Sequence, residues 1–393
     1  MRILVHDYAG HPFQVQLSRE LARRGHEVMH AWCARLQTPR GALSRADDDP
    51  RSLTLEGIDL GEEFSKYGLL SRWRQEGRYG KLLAGRLKAF RPDVVISGNT
   101  PLRAQAIARR EAQRGGAAFV FWVQDVLGVG IGHALRRRLG PAGILPARIL
   151  QRMERTLWRR SDHVVVISED FLPYLPERIR RHASSVVHNW APIGDVPVLD
   201  RDNAWSSEQA IPEAPTYVYT GTLGLKHNPR LIAALAEAVG RELDGQVIVT
   251  SEGPGAEYLE SRGLDNLRVL PFQPFERMPE VLASGDVLLA ILEADAAEFA
   301  VPSKVLTYLC ARRPLLLAVP PANLSRRIVE GAEAGVVVDP EDEKAFVEAG
   351  LALGRDEGTR SRLGENARRY AESAFDIQAI TNRFEDIFQK LTS

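Results

Sequence analysis

Short apolar runs that close on a turn and lead into a segment of helical period recur along this whole chain. The first instance sets the pattern. RILVHDY is of strand length, a turn with Gly10 and Pro12 follows, Phe13, Leu17 and Leu21 recur at spacings of four, and EVMHAW begins a new strand after Gly25. Strand, helix and strand within about 30 residues make a βαβ unit, whose crossover requires parallel strands and a helix on the sheet face. The alternation continues through PDVVISGN at 92–99, AAFVFWVQD at 117–125, DHVVVISED at 162–170 and SSVVHNW at 184–190. It restarts with TYVYTGTLG at 216–224, a helix across 228–240, QVIVTSEGPG at 246–255, NLRVLPF at 266–272, DVLLAIL at 286–292, PLLLAV at 314–319 and AGVVVD at 334–339. Residues 195–214 are polar and punctuated by proline, with no period, and read as a linker. The predicted fold class is therefore α/β, with two Rossmann-like, doubly wound parallel-sheet domains over residues 1–197 and 213–375. Two closing helices, 358–374 and 377–391, place residues 376–393 as a segment that crosses back to the first domain.

Composition bounds the chemistry. With 393 residues, 44% of them apolar and 26% charged, the chain is long enough for two ordinary globular cores. Cys33 and Cys310 sit in apolar surroundings and support neither a disulfide framework nor a zinc ribbon. The N-terminal apolar run is too short for a secretory or spanning segment, so a cytoplasmic location is expected. Residues 1–194 carry 31 basic against 19 acidic side chains, and residues 195–393 carry 20 against 32. The first half should seek an anionic partner.

Ligands in open α/β sheets bind beyond the carboxyl ends of the strands, so the active site is expected in the cleft between the two domains, built from strand-to-helix turns. In TGTLGLKHN, Gly221 and Gly224 permit close backbone approach and Lys226 supplies a point charge for a phosphate. Gly253 in SEGPG and Phe272 at the end of NLRVLPF lie at the same edge. The segment EFAVPSKVLTYLCARRP at 298–314 places Pro302 in a first helical turn, Ser303 at the N-terminus and Lys304 where the helix dipole is also positive, which describes an anion site. In the first domain, DYAGHP brings Gly10 and His11 to the cleft, SGNTP brings Asn99 and Thr100, and FVFWVQD ends on Gln124 and Asp125. Asp125 could accept a proton from an attacking hydroxyl or cap a helix, and Asn99 could bind a sugar or simply form a turn. His6, His30 and His188 read as core histidines, and Asp47, Asp48 and Asp49 as a solvated surface run, so no metal is expected. The chain has no GxGxxG after its first strand, no GxxxxGK[ST], no GxSxG and no HExxH.

HDYAGHPFQVQLSRELARRGHEV, FWVQD, ERTLWRRSDHVVVISE, VVHNWAP, YTGTLGLKHN and VPSKVLTYLCARRP occur in that order over nearly the whole chain. In this it resembles the retaining glycosyltransferases of the GT-B fold, family four, and among them those of capsule, colanic-acid-type and O-antigen polysaccharides. The resemblance implies a nucleotide-sugar donor, a UDP-sugar, on the second domain, an acceptor on the first, and transfer with retention. It implies that Lys226 and Lys304 neutralise the donor diphosphate, that Ser303 and the helix N-terminus add hydrogen bonds, and that no metal or other cofactor is needed. The chain also departs from the family pattern. Two glutamates eight positions apart are replaced by Phe299 and Thr307, with Glu298 one residue off as a substitute and Thr307 left to hydrogen-bond a ribose hydroxyl. Gln124 stands where a histidine is common, and Thr222 where an arginine follows Gly221.

Residues 131–160 carry eight arginines and one acid, Glu154, interleaved with leucine, isoleucine and tryptophan. Such a surface fits anionic lipid headgroups, at about 1 kcal/mol per near-surface charge, and suits a lipid-linked or oligosaccharide acceptor. Nucleic acid is not an expected partner, because aromatic platforms and a binding motif are missing. The reading is thus a hexosyl- or N-acetylhexosaminyltransferase. A non-catalytic nucleotide-sugar-binding scaffold and a nucleotide-sugar epimerase are the alternatives.

Overall fold

Seven parallel strands form the first sheet: β1 (Arg2–Asp7), β2 (Glu27–Cys33), β3 (Leu53–Ile58), β4 (Val94–Gly98), β5 (Ala118–Val123), β6 (His163–Val166) and β7 (Ser184–Val186), in the order β3-β2-β1-β4-β5-β6-β7. Six more form the second: β8 (Thr216–Thr220), β9 (Gln246–Thr250), β10 (Leu267–Leu270), β11 (Val287–Ile291), β12 (Leu315–Ala318) and β13 (Gly335–Val338), in the order β10-β9-β8-β11-β12-β13. The computed structural model describes residues 1–36, 43–62, 69–128, 130, 132, 140–224, 227–292 and 303–393. Its two units are residues 1–189 with 377–393, and residues 190–376. Each sheet is doubly wound, with the order of successive strands reversing at β1/β4 in one and β8/β11 in the other.

The central strands are near-continuous apolar runs because both of their faces are covered by helices. Ile3, Leu4, Val5, Val94 and Ile96 are fully buried in the first unit, as are Val218, Val249, Leu288 and Leu316 in the second. Pro12 opens the helix Pro12–Arg23, which buries Phe13, Leu17 and Leu21. The strand β3 has no counterpart in the sequence reading; its half-exposed middle, Thr54 to Gly57, breaks up the apolar run that marks its neighbours.

Residues 195–214 are not a free linker. Arg201 donates to the carbonyls of Pro212 (2.6 Å) and Ala214 (2.9 Å) and pairs with Asp286, whose carboxylate also accepts the Thr216 amide at 2.8 Å. Asn203 caps the short helix Ala204–Glu208. Polar composition there reflects side chains that tie the segment to the second unit.

Two of the three strand histidines are core groups. His6 contacts Ser97 Oγ and Tyr79 Oη at 2.8 Å, and His30 contacts Ser18 Oγ at 2.8 Å; burial pushes them down to about 3 and about 4. His188 instead lies beyond β7, partly exposed, 3.3 Å from Glu169. Asp49, read as solvated, is buried and paired with Arg19 at 2.8 Å, whereas Asp47 and Asp48 are exposed.

The last helix, Ile377–Thr392, packs on the first unit through Ile380, Phe384, Ile387 and Phe388. The Phe384 ring lies 4.9 Å from that of Trp122, and Glu385 pairs with Arg24 (2.6 Å) and His26 (2.8 Å). Despite partial burial, these partners hold the Glu385 carboxyl below its ordinary value. Phe384→Ala should destabilise the first unit by about 3–5 kcal/mol, read as a lower urea midpoint of Trp fluorescence; an unchanged midpoint would show that the helix contributes no core packing.

Candidate functional site

The second unit presents at its switch point a lysine that has no counter-ion among the described residues. After β8, Gly221 takes φ +95° and donates its N–H to the Thr250 carbonyl at 3.0 Å, so the turn lies against the end of β9. Only glycine adopts that conformation without strain. The helix Ser303–Cys310 is fixed to the same strand end by Tyr308, whose hydroxyl accepts the Thr220 amide (2.9 Å) and lies 3.0 Å from Thr220 Oγ1. Tyr219 in turn donates its hydroxyl to the Thr222 carbonyl at 3.0 Å.

These contacts position Lys304. Its Nζ stands 3.7 Å from the Tyr219 ring centroid, buried, with no hydrogen-bond acceptor among the described residues. A β-carbon on Gly221 would lie 3.4 Å from it. Burial without a compensating anion pushes the ammonium down to about 7. A cation–π contact is worth about 1–2 kcal/mol, less than the several kcal/mol that desolvating an ammonium costs. The arrangement therefore gains most from an anion placed at the Gly221 turn.

Neighbouring groups shape that turn. Gly255 donates to the Leu223 carbonyl at 3.1 Å, and a β-carbon there would come within 2.4 Å of the same oxygen. Gly253 has φ +99° and precedes the helix Pro254–Glu260. Ser251 Oγ, at the end of β9, is buried without a partner. Gly224 donates to His227 Nδ1 at 3.1 Å. Phe272 is 45% exposed beyond β10, Ser303 is exposed at the helix start, and Thr307 is half-buried one turn on. Lys226, Glu298 and Pro302 lie outside the described residues.

In the first unit, the ends of β1 and β4 bring Asp7, His11 and Asn99 together. Asp7 is fully buried and accepts the Ala9 amide (3.1 Å), Asn99 Nδ2 (3.1 Å), the His11 amide and His11 Nδ1 (3.1 Å). Burial opposes charge on both partners, yet Asp7 and Asp125 hold His11 above its ordinary pKa, and His11 holds Asp7 below its own. Asn99 adopts φ +51°, so it is a turn former that also anchors Asp7. Gly10, at φ +78°, donates to the Asp7 carbonyl at 3.2 Å. Gln124 is buried and accepts from Asn189 at 2.6 Å, leaving its own Nε2 without an acceptor. Asp125 is exposed and acts on His11 through its charge.

Two residues of this site were not singled out in the sequence. Asp7 stands in the quoted turn, and its position at the end of the first strand was the available signal. Glu154, visible only as the lone acid of a basic stretch, is buried and accepts the Gly128 amide at 2.9 Å, which ties down the segment after Asp125. Burial, with Asp125 nearby, pushes it up to about 7. Among the described residues no group of three or more His, Cys, Asp and Glu side chains could hold a metal ion, and no helix is long and apolar enough to cross a membrane.

This fold of two doubly wound parallel sheets is the GT-B fold. Solved structures similar to the chain include sucrose-phosphate synthase from Thermosynechococcus elongatus, with TM-score 0.74 and 14% identity over 100% of this chain and 99% of that one. Another is Anabaena Alr3699/HepE, solved in complex with UDP, with TM-score 0.70 and 14% identity over 99% of this chain and 100% of that one. Residues 11–190 match the glycosyl transferase 4-like domain and residues 214–356 the glycosyl transferases group 1 domain. The chain belongs to this family of glycosyltransferases. It is 26% identical over 314 residues to WcaI of Escherichia coli K12, assigned to colanic acid biosynthesis as a glycosyl transferase, covering 76% of this chain and 74% of that protein. It is 25% identical over 185 residues to the alpha-D-kanosaminyltransferase of Streptomyces kanamyceticus, covering 46% of each.

Gly221→Ala tests the turn. It introduces a side chain at φ +95° next to Lys304 Nζ. The expected result is a loss of about 1–3 kcal/mol in thermal stability and weaker calorimetric binding of inorganic pyrophosphate; unchanged pyrophosphate affinity would separate the turn from the anion site.

Proposed function

We propose that the protein transfers a hexose or N-acetylhexosamine, with retention, from a UDP-sugar to a lipid-linked or oligosaccharide acceptor in cell-surface polysaccharide biosynthesis. The observation that carries this reading is the buried, unpartnered Lys304 ammonium facing the Gly221 turn. Departure of UDP concentrates negative charge on the diphosphate, and a preorganised ammonium in a dry site stabilises that charge without reorganisation. Ser303 adds to the donor set, Gly224 and Gly253 shape its backbone, and Lys226, Glu298 and Pro302 are assigned to the same set from the sequence alone. Phe272 offers an aromatic face to the base, while Thr222 and Thr307 face the ribose. The nature of this charge supply makes a divalent ion unnecessary, so transfer should persist in EDTA.

On the first unit, Asp7 orients His11 and keeps it protonated, Asn99 and Gln124 offer amides to acceptor hydroxyls, Gly10 shapes the turn, and Asp125 takes the attacking hydroxyl's proton. The E. coli relative's assignment to colanic acid supports a polysaccharide role, and the UDP-bound and UDP-glucose-bound Anabaena structures support a uridine donor. The basic composition of residues 131–160, of which 131 and 133–139 lie outside the described residues, supports peripheral attachment to an anionic membrane on its cytoplasmic face.

Because Lys304 has a lowered pKa in the free protein and must be charged to hold the diphosphate, UDP binding takes up a proton above about pH 7. The sign follows directly: affinity is flat below that pH and falls about tenfold per unit above it, until the bound-state pKa is reached. Lys304→Gln should weaken UDP about 10–100-fold and abolish the slope in calorimetry between pH 6.5 and 9. A pH-independent wild type, or a variant that binds equally well, would contradict the assignment. Incubation with a panel of UDP- and GDP-sugars should release free nucleotide from one donor; isomerised sugar would indicate an epimerase, and binding without turnover a scaffold.

His11→Gln separates the two units. It should leave UDP affinity unchanged and lower transfer about 100-fold, whereas equal losses in both would place His11 at the donor.

A further inference from the structure

In the first unit, the helices Leu102–Arg114 and Ile144–Arg160 enclose a groove of about 330 Å³. Among the described residues, four that bear a guanidinium line it, Arg109 and Arg110 from one helix and Arg152 and Arg160 from the other, and no carboxylate does. Arg109 is only 5% exposed; it donates to Gln113 Oε1 and, at 3.4 Å, to the Arg160 carbonyl, while its Nε–H is buried with no acceptor. Burial and the charges of Arg160 and Arg110 hold it below its ordinary pKa. Arg110, Arg152 and Arg160 make no ion pair among the described residues. Glu154, the one acid of the second helix, is occupied by the Gly128 amide. Like charges gathered around an unsatisfied buried donor call for an anion with several acceptor oxygens, which is the chemistry of a phosphate.

The apolar surroundings narrow the source of that phosphate. Leu145 is 68% exposed and Ile149 51%, one turn apart on the helix that carries Arg152, and Ile149 also lines the groove. A water-soluble phosphate would leave these side chains wet, whereas a membrane interface covers them while the arginine stems reach to headgroup level. We infer that this groove seats the phosphate of an anionic membrane phospholipid, with Leu145 and Ile149 entering the apolar boundary beside it. The inference rests on the proposed peripheral attachment and assigns the headgroup to one socket, two of whose arginines lie outside residues 131–160.

The test is co-sedimentation with vesicles of phosphatidylglycerol in phosphatidylcholine against vesicles of phosphatidylcholine alone. Two double variants remove equal charge from exposed positions: Arg110→Ala with Arg152→Ala in the groove, and Arg148→Ala with Arg155→Ala on the flank of the same helix. Wild type should pellet only with the anionic vesicles, and the groove pair should lose at least about tenfold more partitioning than the flank pair, with both melting at the wild-type temperature. Equal losses would overturn the socket while leaving membrane attachment in place. Wild type that stays in the supernatant would overturn both. Calorimetric binding of glycerol 3-phosphate without vesicle binding would identify a soluble phosphate as the occupant and overturn the lipid.

Discussion

The second unit is organised around a buried ammonium that has no anion beside it among the described residues. Tyr308 fixes the helix that carries Lys304 to Thr220, and the buried ammonium sits beside the Gly221 turn with no hydrogen-bond acceptor among the described residues. Among the described residues the Tyr219 ring is the favourable contact of the ammonium, and that contact is smaller than the desolvation it offsets. Strand order, helix register and turn conformation thus converge on a desolvated cation, the group that the proposed donor diphosphate would neutralise.

The first unit solves a different electrostatic problem. Asp7 is fully buried yet ionised, because two backbone amides, Asn99 and His11 surround it. The same carboxylate fixes the His11 ring and favours its charged form, and exposed Asp125 reinforces that from outside. One unit therefore holds a cation awaiting an anion, and the other a cation already compensated. This division suits a donor diphosphate on one side and neutral hydroxyls on the other.

Much of the fold was legible because parallel strands covered on both faces read as unbroken apolar runs. The β3 strand was not, since its half-exposed middle breaks such a run. Residues 195–214 looked like a linker because their order comes from Arg201 reaching distant carbonyls and Asp286, which composition does not reveal. Lys304 was legible from its place at a helix start, but its lack of a partner is a property of the packed site. Asp7 was overlooked for the same reason: its importance lies in four donors brought from two strand ends. Arg109 and Arg110 belong to a helix far from the basic stretch in sequence, and only tertiary packing joins them to Arg152 and Arg160.

The proposed donor site depends on Lys304 being a desolvated ammonium that a diphosphate neutralises. Lysine labelled with carbon-13 at Cε reports the titration of each side chain by NMR, with Lys304→Arg assigning the signal. The Lys304 resonance should titrate near 7 in the free protein and move well upward on saturation with UDP. A resonance that titrates near the ordinary lysine value of about 10.4, unchanged by UDP, would contradict it.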